Sequence, residues 1–323
     1  MRPLKFHPIL KQTLWGGERI IPYKELASGL SRVGESWELS GMPGSESVVA
    51  EGPWAGSTLS ELIGRFGAEL LGKANYARFG QEFPLLVKFI DAREDLSIQV
   101  HPDDELARKR HGKSGKCEMW YVLEAEPGAS LLTGFSRPTA PGGYERRVAD
   151  NTLTDVLNRQ AIASGDVFYL PAGRVHSIGK GSFIVEIQQS SDITYRIYDF
   201  DRRDAAGNSR ELHTELAREA IDFESSENSR ITYAPENNQE VRLVTTPYFT
   251  TSLYTLTART RCDWSATDSF VAIVLLQGSG SLTDNEGNRI DVRQGETWLL
   301  PASTQWTEIT PHTAPLRLLT SRI

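Results

Sequence analysis

The chain has little cysteine, no excess of positive charge and no long apolar run, and each shortage removes a class of function. Two cysteines in 323 residues, Cys117 and Cys262, exclude a disulfide framework and a multi-cysteine zinc site. Lys plus Arg total 35 against 42 for Asp plus Glu, a net charge of −7. A nucleic-acid binder shows the reverse balance, so no nucleic-acid partner is expected. The longest apolar run, Phe270 to Leu276, is seven residues against the roughly 20 that cross a bilayer, so no membrane partner is expected either. The opening MRPLKFHPILKQTLWGG has no apolar signal core before polar residues interrupt it, and a cytoplasmic location is expected. No tract is of low complexity, and 39% apolar with 24% charged residues is the composition of a folded globular protein. The length suits about two domains.

What the chain does have is many short period-two or apolar runs closed by Gly, Pro, Asn or Asp. They include CEMWYVLEA (117–125), GDVFYLPAG (165–173), GSFIVEIQQ (181–189), ITYRIYDF (193–200) and FVAIVLLQGSGSL (270–282). The pattern predicts a mostly β protein of the sandwich or barrel kind. Helical periodicity is expected in three places only. Thr58 and Glu61 make a capping box ahead of LIGRFGAELLG. PDDELARKRHG (102–112) runs from Pro and acids to bases and Gly, the charge order a helix dipole favours. HTELAREAIDF (213–223) is amphipathic, and the polar ESSENSR (224–230) after it marks the expected boundary between a domain of residues 1–223 and one of residues 224–323. An internal repeat agrees with two domains: GDVFYLPAGRVH (165–176) aligns with GETWLLPASTQW (295–306), and YVLEAEPGASLL (121–132) looks like VLLQGSGSLT (274–283). The second copy carries Ser303 for Gly173 and Trp306 for His176. If His176 binds a metal, only the first barrel can work, and Trp306 is expected to fill the space a metal site would have used.

In LSIQVHPDD (96–104), side chains two apart share one face of a strand, so Ser97, Gln99 and His101 project together while Ile98 and Val100 point the other way. Glu118 lies in a second strand, and His176 ends the repeated strand and turn. Two imidazoles, a carboxylate and an amide oxygen on neighbouring strands of a small barrel can close around one divalent ion. Nitrogen and oxygen donors without thiolate suit Zn, Fe, Mn, Ni or Co alike. Lys88 interrupts the apolar PLLVKFI (84–90), where a charge needs a partner. ARKRHGKS (107–114) is one residue from a phosphate-loop pattern, but it lacks the first glycine and follows a helix-like segment, the inverse of the order such loops need. The basic run Arg108, Lys109, Arg110, Lys113 and Lys116 is instead expected in a solvated loop at a pocket mouth, attracting an anionic substrate.

The pattern G-x5-P-x-G-x2-H, met by residues 165–176 at every fixed position, resembles the second signature of the cupin superfamily, whose histidine is a metal ligand. The first signature is met in part, with Gln99-Val100-His101 where many cupins carry His-x-His. That departure, together with LSIQVHPDDELA, GKCEMWYVLEA, LPAGRVHSIGKG and EIQQSSDITYRIYDFDR in this order, resembles the type I phosphomannose isomerases, zinc-dependent cupins, in their short bacterial form. Trp15-Gly16-Gly17 and GESWELSG (34–41) match that family's N-terminal segments, and the resemblance runs from about residue 4 to 203.

The resemblance implies a mostly β fold of tandem cupin (jelly-roll) barrels, the second degenerate, with a few short helices. It implies one Zn2+ per chain held by Gln99, His101, Glu118 and His176, with Arg196 in catalysis and Ser97, Lys88 and Lys116 in a sugar phosphate pocket. The implied reaction interconverts mannose 6-phosphate and fructose 6-phosphate through an enediolate, moving a proton between C1 and C2. A zinc-bound water, Lys116 or a further carboxylate stay open as its base, while Asp199, Asp201, Glu186 and Gln188 are as readily structural. Two rival readings are an Fe- or Mn-dependent cupin oxygenase, opposed by the neutral Gln99, and a sugar phosphate sensor without turnover.

Overall fold

The computed structural model describes residues 1–204, 206–224 and 229–323. Strands dominate and form two pairs of facing sheets. The first pair has a seven-stranded sheet in the order Arg230–Ile231, Val167–Leu170, Glu118–Ala125, Ser182–Gln189, Leu85–Ala92, Ile9–Gly17, Val33–Leu39. Facing it is a five-stranded sheet, Leu157–Ala161, Ser130–Phe135, His176–Ile178, Ile98–Val100, Tyr195–Tyr198. The second pair has six strands, Leu4–Lys5, Thr297–Leu300, Val271–Gln277, Leu316–Arg322, Thr250–Leu256, Val241–Thr245, and four, Thr260–Asp263, Trp306–Pro311, Ser279–Asp284, Arg289–Arg293. Each pair is a jelly roll, so the architecture is the expected tandem of barrels. Among the described residues no helix is long and apolar enough to cross a membrane.

The repeat is preserved down to its pairing register. Val167 lies opposite Tyr121 and Leu170 opposite Glu118; in the second barrel Thr297 lies opposite Val274 and Leu300 opposite Val271. The turns before both strands need a glycine at positive φ, Gly165 at 90° and Gly295 at 80°. Val271 therefore stands where the first barrel has Glu118, which makes the second barrel degenerate at a second position besides Trp306. Trp306 itself does not fill the barrel. Its neighbour Thr307 is the fully buried residue and accepts from Trp264 Nε1 at 3.0 Å, so strand alternation turns Trp306 outward, half-exposed, with the Arg261 guanidinium 4.2 Å from its ring. Trp264 and Trp298 fill the core of that barrel instead.

The two large sheets pack face to face. Every residue of Leu85–Ala92 and Ser182–Gln189 is buried, because each strand has an apolar layer on both sides. Val87, Phe89, Met119, Tyr121, Val185 and Ile187 meet Ala272, Val274, Leu276, Leu299 and Leu319 between the barrels. The alternate residues Ile90, Trp120, Val122 and Ile184 line the inside of the first barrel, and this inward row also carries Lys88, Glu118 and Glu186.

The three expected helices are present as Leu59–Phe66, Asp104–His111 and Thr214–Ala220, and the capping box closes with Thr58 N donating to Glu61 Oε2 at 2.8 Å and Glu61 N donating to Thr58 Oγ1 at 3.2 Å. Ala68–Leu71 falls within the expected LIGRFGAELLG, divided from the first helix at Gly67, and among the described residues three others, Ile20–Tyr23, Lys73–Phe79 and Pro141–Ala149, correct the expectation of three helical places only. Pro141–Ala149 carries two glycines in its first turn, which hides its helical propensity. It is held by buried Tyr144, whose hydroxyl donates to the Thr214 carbonyl at 3.0 Å. Lys73–Phe79 takes its N-terminal acceptors from Asp268, at 2.7 and 2.9 Å, a cap supplied by the other barrel and invisible locally.

Strands also pass between the halves of the chain: Leu4–Lys5 pairs with the strand Thr297–Leu300, and Arg230–Ile231 pairs with Val167–Leu170. Of the expected boundary stretch 224–230, residues 225–228 lie outside the described residues. Gly17 of the Trp15-Gly16-Gly17 motif lies against Asp91, where a Cβ would stand 2.1 Å from Oδ2. Asp91 in turn accepts from Arg19 N at 2.7 Å and Arg19 Nε at 2.6 Å, tying the N-terminal strand to the barrel.

Candidate metal centre

The inward row of the large sheet meets the inward row of the small one near the turn that follows Leu170. Gln99 lies directly opposite His176 across the small sheet, and their side chains meet, with Gln99 Nε2 donating to His176 Nε2 at 3.3 Å. His101 sits two residues along the same face. From the large sheet Glu118 reaches across, with Oε1 3.3 Å from His176 Nε2 and Oε2 3.5 Å from His101 Nε2. The donor atoms of His101, Glu118 and His176 all lie within 4.8 Å of one another, and all three residues are buried.

Backbone carbonyls fix both imidazoles in one tautomer. His101 Nδ1 donates to Ile193 O at 2.8 Å and His176 Nδ1 to Arg174 O at 2.7 Å, so each Nε2 lone pair faces the cluster. Burial, reinforced at His101 by the Lys116 ammonium, lowers the pKa of both rings and keeps them neutral; at His176 the Glu118 carboxylate partly opposes it. His101 Nε2 and Glu118 Oε1 are buried with no hydrogen-bond partner. Convergent neutral nitrogens and an orphaned carboxylate oxygen fit a divalent cation, and the donor set contains no thiolate. Cys117, next to Glu118 in sequence, turns away and accepts from Ala172 N at 3.3 Å.

Behind the cluster runs a chain of alternating charges. Lys116 Nζ stands 2.9 Å from Glu118 Oε2 and 3.9 Å from Glu186 Oε1. Lys88 Nζ stands 3.0 Å from the same Glu186 oxygen and 3.8 Å from Glu35 Oε2. Trp120 Nε1 donates to the other Glu186 oxygen at 3.0 Å. Burial alone would raise the Glu186 carboxyl, but Lys88 and Lys116 outweigh it and lower it to about 2. Burial likewise pulls the Lys88 ammonium down, and the carboxylates of Glu186 and Glu35 overcome it, holding that group above its ordinary value. Lys116 is only 5% exposed, which removes it from the solvated basic run; Arg108, Lys109 and Arg110 belong to the helix Asp104–His111.

Of the other expected residues, Ser97 donates to Gln99 Oε1 at 3.4 Å on the inward face. Arg196 lies opposite Gln99 in the sheet and so shares its face. Its Nη1 donates to the Glu211 carbonyl at 3.0 Å, while its Nε is buried without a partner. Sequence reasoning left Glu186 out of the site, although a signal was present: it is the lone ionisable residue in FIVEIQQ and pairs in register with Lys88.

Residues 4–131 match the family model described as phosphomannose isomerase type I, catalytic domain. The chain is 34% identical over 303 residues to a probable mannose-6-phosphate isomerase of Bacillus subtilis, covering 93% of each. It is 33% identical over 302 residues to a mannose-6-phosphate isomerase of Streptococcus mutans, covering 93% of this chain and 92% of that one. The crystal structure of the mannose 6-phosphate isomerase from Bacillus subtilis superposes with a TM-score of 0.90 at 29% identity, covering 100% of both chains. A likeness that extends over nearly the whole sequence and both barrels makes this chain a member of the type I phosphomannose isomerase family.

Proposed function

We propose that the chain interconverts mannose 6-phosphate and fructose 6-phosphate, using one zinc ion per chain held by Gln99, His101, Glu118 and His176. The named activity of its relatives supports this reading, and one observation carries it: buried, unpartnered His101 Nε2 and Glu118 Oε1 converge with His176 Nε2. A buried carboxylate oxygen without a partner is costly unless a cation compensates it. A half-turn of the Gln99 amide exchanges its nitrogen for its oxygen and supplies a fourth donor. When bound, the ion polarises the oxygens of the open-chain sugar with no change of redox state, which suits zinc.

The remaining work falls to side chains. Arg196 offers a permanent planar cation, with its free Nε–H, to the enediolate or the phosphate. Ser97 and the two lysines bind the sugar phosphate, and ionised Glu186 holds Lys88 and Lys116 in place. Residues 1–223 form the metal-bearing catalytic domain of this cytoplasmic enzyme, and residues 224–323 the barrel without a metal site.

The test is turnover of mannose 6-phosphate before chelation, after it, and after adding zinc back. Activity should vanish with the chelator and return with zinc; metal-loaded protein that converts neither sugar phosphate would end the proposal.

A further inference from the structure

Arg196 sits in Tyr195–Tyr198, the edge strand of the small sheet, where among the described residues one side of the backbone has no neighbouring strand. An edge residue in a catalytic wall has two polar backbone groups to satisfy and a long side chain to hold still. A single residue, His213, meets both backbone needs. Its N–H donates to the Arg196 carbonyl at 2.6 Å, and its ring Nδ1 accepts from the Arg196 N–H at 3.2 Å. The adjoining Glu211 carbonyl accepts from Arg196 Nη1 at 3.0 Å. Residues 211–213 thus act as a short strand substitute that grips the arginine at three points and leaves Nε free.

The base of the grip is itself anchored. His213 is the N-cap position of the helix Thr214–Ala220, which is held by Tyr144 through the Thr214 carbonyl at 3.0 Å and by Arg110 through the Leu216 carbonyl at 3.0 Å. Accepting an amide proton at Nδ1 requires a neutral ring with its proton on Nε2. Glu211 Oε2 is 3.8 Å from that Nε2, too far for a hydrogen bond.

Resting on the isomerase reading for its functional consequence, we infer that His213 is a positioning residue that sets the Arg196 guanidinium toward the substrate through an N–H···N bond at the sheet edge. The hydrogen bonds of its N–H and of its ring both go to Arg196, while the ring lies beside Tyr195 with centroids 6.3 Å apart.

Three proteins decide the matter: wild type; His213→Asn, which keeps an acceptor where Nδ1 stands; and His213→Phe, which keeps a ring and loses the acceptor. In wild type labelled with 15N, the Arg196 amide nitrogen should show a through-hydrogen-bond coupling to His213 Nδ1. His213→Phe should lower kcat/KM for mannose 6-phosphate about tenfold or more and speed solvent exchange of the Arg196 amide by a similar factor. His213→Asn should bring both back to within about threefold of wild type, the rescue that a merely structural role would not give. Absence of the coupling overturns the inference even if the Phe variant fails to fold. So does a folded Phe variant with wild-type kcat/KM. A wild type that turns over neither sugar phosphate would refute the isomerase reading alone, and the grip would still be judged by the coupling and the amide exchange.

Discussion

Lys88→Met is the sharpest test of the buried charge chain. The substitution is close in length and removes an ammonium 3.0 Å from Glu186 and 3.8 Å from Glu35. Glu186 is then left buried with Lys116, at 3.9 Å, as its remaining cation. In the intact protein Lys88 and Lys116 together hold its carboxyl below the ordinary 4.5 against the opposing effect of burial. Breaking a buried pair by removing one partner costs about 3–5 kcal/mol, the loss expected here. Because the wild-type carboxyl lies below its unfolded value, its contribution is full above about pH 4.5 and is lost as pH falls toward about 2. In the variant, burial pushes Glu186 up, protonation relieves it, and the penalty should shrink from pH 7 to pH 5. Urea unfolding of metal-free protein at both pH values measures this. Lys88→Met/Glu186→Gln should recover most of the loss, since both charges are gone. A loss under about 1 kcal/mol at pH 7, or a double variant worse than the single one, would refute the reasoning.

The two neutral imidazoles give a second dependence with the same proton bookkeeping as wild-type Glu186, displaced to a higher pH window. His101 and His176 have folded values below the ordinary 6.5, so under pH 6.5 the unfolded chain binds more protons. Metal-free protein should lose up to about 1.4 kcal/mol per pH unit for each ring as the solution is acidified below 6.5, and level off above it; thermal melting across pH 5–8 that stays flat would contradict this. In the second barrel, Trp306→Ala should cost under about 2 kcal/mol because that ring lies outside under Arg261, whereas Trp298→Ala should cost about 3–5 kcal/mol. Equal losses in denaturant titration would show that Trp306 packs internally after all.

Much of this was readable in one dimension. Period-two spacing put Ser97, Gln99 and His101 on one face because successive strand side chains alternate, a rule that holds whatever the strand packs against. The Gly165 and Gly295 turns announced the repeat, since few residues other than glycine accept the positive φ they need. The charge inside PLLVKFI demanded a partner, and the structure supplies two carboxylates. Local sequence also specified the capping box, whose donors and acceptors lie within four residues.

Other features depend on partners distant in the chain, and local pattern holds no record of them. The helix Pro141–Ala149 exists because Tyr144 is buried, against the propensity of two glycines. Lys73–Phe79 is capped by Asp268 from the other barrel. Whether Trp306 pointed in or out turned on the strand's register, since a shift of one residue reverses every side chain. The same register set Glu186 opposite Lys88 and Arg196 opposite Gln99. Sequence alone determined which residue types stand at which alternating positions, because that periodicity is a property of the backbone. Only the tertiary structure decided which faces meet, and so which carboxylate holds which ammonium and which histidine grips the arginine.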